Sequence, residues 1–170
     1  MLKRLIASFL PLALWGEILS FSTLTANFTQ SVVAPGGKKI IYTGTIALKQ
    51  PNSAYWGYTK PVPKEIFVNG HEVIIHEPRL KQVTWRRMDE SLNLGTLLKK
   101  AVRVNEGVWR ASHDGIDATI TVENNLPKTL FFTDKNGYQI TIELNEIKLN
   151  PTIPVSRFSF TPPEGYDIIR

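Results

Sequence analysis

The chain of 170 residues contains no cysteine. That absence excludes thiolate catalysis, Cys-ligated zinc and iron–sulfur clusters, and it removes the residue on which bacterial lipid anchors and palmitoyl groups are built. A strong charge of one sign is also lacking. Lys and Arg number 20 against 15 Asp and Glu, a formal net charge of +5, which is too mild a surplus for a nucleic-acid binder. Phosphate-cradling glycine loops and a Gly-x-Ser-x-Gly elbow are missing as well. What remains describes one ordinary soluble domain, long enough to bury roughly 70% of its unfolded surface without a disulfide or a structural metal.

Met1-Leu2-Lys3-Arg4 is a short basic head, and Leu5 to Trp15 is an uncharged apolar run interrupted by Pro11. At about eleven residues the run is too short to cross a ~30 Å hydrocarbon core as a helix. It reads as a secretory signal peptide over residues 1–16, cut near Gly16, which leaves residues 17–170 as a single exported domain. Loss of Lys3 and Arg4 leaves 18 basic against 15 acidic residues, about +3.

Beyond the signal the dominant period is two. Leu24, Ala26 and Phe28 alternate with polar neighbours, as do Gly44, Ile46 and Leu48, and each stretch predicts a strand with one buried face. Asn69-Gly70, Asp114-Gly115 and Asn136-Gly137 supply the positive φ of tight type I′ hairpins. Two helices are expected: a short one from Glu17 to about Ser22, and one from Asp89 to Ala101. In the second, Leu94, Leu97, Leu98 and Ala101 share a face, Asp89 or Ser91 caps the start, and Lys99-Lys100 suit the C-terminal dipole. About nine to eleven consecutive antiparallel strands favour a curved meander that closes or half-closes into a barrel. Only about twenty helical residues are left to cover its concave face, so either side chains fill the barrel or an apolar hollow remains.

No catalytic constellation assembles. His71 and His76 are five apart on a strand, point to opposite faces, and read as surface and edge histidines rather than a metal pair. His113 stands at a turn without a marked nucleophile. Asp89-Glu90 and Glu143 with Glu146 lack the apolar surroundings that would raise a carboxyl pKa. Arg86-Arg87 and Lys99-Lys100, flanking the second helix, read as a solvated basic face.

Several segments, in order, resemble the periplasmic outer-membrane lipoprotein carrier family, LolA. Phe28-Thr29-Gln30 is similar to its Phe-x-Gln strand. Gly44-Thr45-Ile46-Ala47-Leu48-Lys49-Gln50-Pro51 followed by Trp56 resembles its Gly-x-Leu-x-Val-Lys-Arg-Pro and Trp. Ile66-Phe67-Val68-Asn69-Gly70 looks like its next hairpin, and Phe158-Ser159-Phe160-Thr161-Pro162-Pro163-Glu164-Gly165 like its C-terminal block.

The resemblance implies a mainly β fold, an incomplete antiparallel barrel with a small helical lid over an apolar cavity. It implies a non-enzymatic periplasmic carrier, monomeric and without a cofactor. Such a carrier accepts acylated lipoproteins from an inner-membrane ABC-type release complex and delivers them to an outer-membrane acceptor. Phe28, Ile46, Leu48, Trp56, Tyr58 and Phe67 would line the cavity from the sheet, and Leu94, Leu97 and Leu98 from the lid. The family commonly carries Arg where Gln50 stands, an Arg that holds the lid shut; Gln50 would take the lid-control position here with fewer donors and no charge. The alternative is a non-shuttling lipid-binding or envelope-sensing module of the same architecture. An exported lipid hydrolase is disfavoured, since no nucleophile, base and orienting group can be named together.

Overall fold

The structure, a computed structural model, describes residues 21–87, 94–113 and 115–170, without the side chains of 94–96. The signal peptide, most of the Glu17–Ser22 helix, the Asp89 start of the second helix and Asp114 lie outside the described residues.

Among these residues the chain forms one sheet of twelve strands: β1 (Thr23–Val33), β2 (Lys39–Lys49), β3 (Ser53–Lys60), β4 (Lys64–Asn69), β5 (Glu72–Glu77), β6 (Gln82–Arg87), β7 (Val102–Asn105), β8 (Val108–His113), β9 (Ile116–Glu123), β10 (Leu126–Thr133), β11 (Gln139–Leu149) and β12 (Asp167–Ile169). Its order is β12-β6-β5-β4-β3-β2-β1-β11-β10-β9-β8-β7. The edges β12 and β7 do not pair, so the barrel is incomplete. The count exceeds the nine to eleven expected because β7 and β12, at four and three residues, are too short for an alternating pattern to announce them. Nor is the sheet wholly antiparallel, since β12 runs parallel to β6.

Strand β1 sits mid-sheet, paired with β2 over its whole length and with β11 on the other side. Its buried residues Leu24, Ala26 and Phe28 follow the period of two read from sequence.

The turn chemistry differs from the type I′ expectation. Asn69 pairs with Glu72, so Gly70 and His71 form the loop, and Gly70 at φ +61° takes the glycine position of a type II′ turn. In the Asn136-Gly137 loop, the Asp134 carboxylate accepts the amides of Asn136 and Tyr138, each at 2.9 Å, and Gly137 at φ +82° ends a longer loop. Asn124 and Asn125, both at positive φ between β9 and β10, make the two-residue turn with the I′ sign pattern. Lacking a glycine, that pair gave no conspicuous signal.

The connection from β6 to β7 spans the sheet from near one edge to the other, and the helix α1 (Leu94–Lys100) lies in it, packed against β8 and β2. We call the face covered by α1 the inner face. The opposite, outer face is crossed by residues 150–170, which pack through the 3-10 turn Val155–Phe158 on β3 and β4 before joining the sheet as β12.

Candidate functional site

Strand register decides which side chains meet α1. On β2, Ile46 and Leu48 point inward, each at most 2% exposed, and Ala47 between them points outward. Ile46 pairs with Trp56, and Trp56 with Ile66, so that row also belongs to the inner face. Leu97 and Leu98 of α1, each 2% exposed, join Phe28, Ile46 and Leu48 in one apolar cluster, against which Trp56 and Tyr58 pack half-buried.

Phe28 is the pivot of the aromatic part. Its ring stands edge-on to Trp56 at 5.1 Å and to Tyr58 at 5.0 Å, and Tyr42 extends the row at 5.8 Å from Tyr58. The Tyr58 hydroxyl donates to Gln30 Oε1 at 2.9 Å. Phe28 and Gln30, two apart on β1 and therefore on one face, thus grip the same tyrosine. Burial, and secondarily the Tyr42 phenol, pushes the Tyr58 pKa up to about 12.

Phe67, named from sequence with the inner residues, sits elsewhere. It pairs with Tyr55, one position out of phase with the Trp56–Ile66 row, and so lies on the outer face. There it packs with Val83 and Phe158, and its ring lies 5.1 Å from Phe160. The inner-face residues of that strand segment are Ile66 and Val68. Leu94 begins α1, but its side chain lies outside the described residues.

The outer face holds a polar device under the C-terminal segment. Glu65 accepts the Tyr55 hydroxyl at 2.8 Å and, through its other oxygen, meets His76 Nδ1 at 2.9 Å. Phe160 and Tyr166 lie over the imidazole at 4.5 and 5.5 Å. His76 is therefore buried, contrary to its reading as a surface or edge residue: the C-terminal segment, remote in sequence, covers an edge that local pattern leaves open. His113 likewise ends β8 as a buried residue, with Nδ1 3.5 Å from Lys100 Nζ. Among the described residues no group of three metal-ligating side chains stands together.

The model for outer membrane lipoprotein carrier protein LolA matches residues 20–111. An outer-membrane lipoprotein carrier protein of Helicobacter hepaticus is 34% identical over 99% of this chain and 96% of its own length. Its counterpart in Wolinella succinogenes is 32% identical over 89% and 88%. The chain belongs to the LolA family. In fold it is similar to an uncharacterized conserved protein of Thermus thermophilus, at a TM-score of 0.53 and 15% identity over 88% of this chain and 90% of that one. LolA proteins are carriers, not enzymes.

Within this LolA chain, Gln50 follows β2 half-buried, and its backbone N–H donates to the Ser22 carbonyl at 2.8 Å. That bond ties the end of the Gly44–Pro51 block to the start of β1.

Proposed function

We propose that this protein is a periplasmic carrier, exported by cleavage of residues 1–16. As a monomer, it takes acylated lipoproteins from an inner-membrane ABC-type release complex and passes them to an outer-membrane acceptor. The acyl chains lodge on the inner face of the sheet against Phe28, Ile46, Leu48, Trp56 and Tyr58, and the helix bearing Leu94, Leu97 and Leu98 is the cover that moves aside. Gln50 governs that cover.

The observation that carries this reading is the seating of Leu97 and Leu98, from a helix in the connection between β6 and β7, in the same apolar cluster as Phe28, Ile46 and Leu48. Lifting such a helix exposes apolar surface that a hydrocarbon tail can replace. A ~16-carbon chain in water forfeits roughly 0.8 kcal/mol per CH₂, about 12 kcal/mol in all, which makes unaided transfer between membranes very slow. The carrier must offset most of that cost and still let go, since transfer runs only toward a tighter-binding acceptor.

The deciding experiment is release from spheroplasts. A labelled lipoprotein should leave the inner membrane only when the purified protein is added, and the two should co-elute as a one-to-one complex. Retention of the lipoprotein in the membrane would leave a lipid binder with another task.

A further inference from the structure

At the end of the sheet formed by the β4–β5 turn and the last residues of β6 lies a cleft of about 740 Å³, outside the inner-face cluster. Arg86, Arg87 and Arg170 line it, with Trp85 as a wall. The Arg170 guanidinium stands 5.9 Å from the Trp85 ring centroid, and the indole N–H donates to Glu72. The one carboxylate side chain lining the cleft, Glu72, accepts the indole N–H and keeps its charge. Among the described residues none of the three guanidiniums takes part in a salt bridge. Three guanidiniums against one carboxylate thus line the cleft in a protein whose overall surplus is small.

The cations have apolar company. In the parallel register Ile168 sits beside Val83 and Ile169 beside Thr84, which places Arg170 level with Trp85. Ile168 and Ile169 are 48% and 47% exposed. Ile168, two before Arg170 and therefore on its face, stands with the indole and the guanidiniums, a combination that favours the boundary between headgroups and acyl chains. A bilayer surface offers anionic headgroups to the guanidiniums and apolar depth to Ile168 and the indole at once. We infer that this cleft is a docking site for the phosphate headgroups of anionic phospholipid, by which the protein rests on a bilayer surface with its β4–β5 end. Guanidinium forks suit phosphate oxygens, and the attraction adds to the apolar contact of Ile168.

This surface is separate from cargo binding, and its test needs no cargo. The purified protein is sedimented with vesicles of phosphatidylglycerol and phosphatidylcholine in equal parts, and with vesicles of phosphatidylcholine alone. Binding to the first only is expected, weakening as salt is raised. Arg86→Gln, Arg87→Gln and Arg170→Gln should each weaken it about fivefold, and the triple variant on the order of a hundredfold. All three residues are exposed, so these variants should keep the wild-type circular dichroism and apolar-probe binding. A control removes three exposed charges at the opposite end of the sheet, Lys38→Gln, Lys39→Gln and Lys60→Gln, and should bind as wild type. Equal loss in the control would reduce the effect to general attraction. Unchanged binding by the arginine triple variant, or binding of soluble polyglutamate in place of vesicles, would overturn the inference.

Discussion

The backbone carbonyl of Gly57 occupies the space that a Cβ on Gly44 would need, and Cε1 of Phe28 stands 2.9 Å from the same point. A register shift between Thr43 and Gly44 brings β2 and β3 together there. The glycine opening the Gly44–Pro51 block is thus a steric requirement of the pairing that sets Phe28 against Trp56 and Tyr58. Gly44→Ala should lower stability by about 1–3 kcal/mol, the usual range for an overpacked core position, measured as a lower urea midpoint. A midpoint equal to wild type would mean that the two strands separate freely at this point.

If α1 is a movable cover, charging its buried face acts on cargo more than on the sheet. Leu98→Glu should sharply reduce binding of an apolar fluorescent probe competed by fatty acid, while the urea midpoint falls only modestly, because the helix escapes the penalty of a buried carboxylate by lifting. Parallel loss of probe binding and stability would make Leu98 plain core.

The buried phenol of Tyr58 sets an alkaline limit on stability. Its folded pKa of about 12 lies above the ordinary 10.0, so the unfolded chain loses the proton first. Stability from this group is complete below pH 10 and falls as pH rises toward 12. Tyr55 acts in the same sense, raised to about 12 by burial and then by its bond to Glu65. Urea midpoints followed through this window should decline, and Tyr58→Phe should decline less steeply. An unchanged slope would show that Tyr58 ionises as in the unfolded chain.

Phe160 clamps the C-terminal segment to β4 and β5 through Phe67 and His76. Phe160→Ala should cost roughly 2 kcal/mol, below the 3–5 kcal/mol of a fully buried Phe because the ring is only half-buried. Amide exchange should quicken in residues 158–169 and stay slow in β1 and β2. Uniform quickening would mean that this segment is integral to the sheet rather than laid upon it.

The sheet itself was legible in the amino-acid sequence, because a half-buried strand writes its two faces as alternating residues, and Leu24-Ala26-Phe28 and Ile46-Leu48 carry that signature plainly. The Leu97 and Leu98 spacing likewise announced a helix with one apolar stripe. Alternation sorts residues into two sets, however, without saying which set faces which partner. Phe67 and Trp56 are both large aromatics on neighbouring strands, and only the register, Tyr55 with Phe67 and Trp56 with Ile66, sends them to opposite sides. His76 and the cleft of Arg86, Arg87 and Arg170 were beyond local pattern for a related reason. Each is made by residues 150–170 returning across the sheet to pair in parallel with β6, and a contact between chain segments about eighty residues apart leaves no periodicity in either.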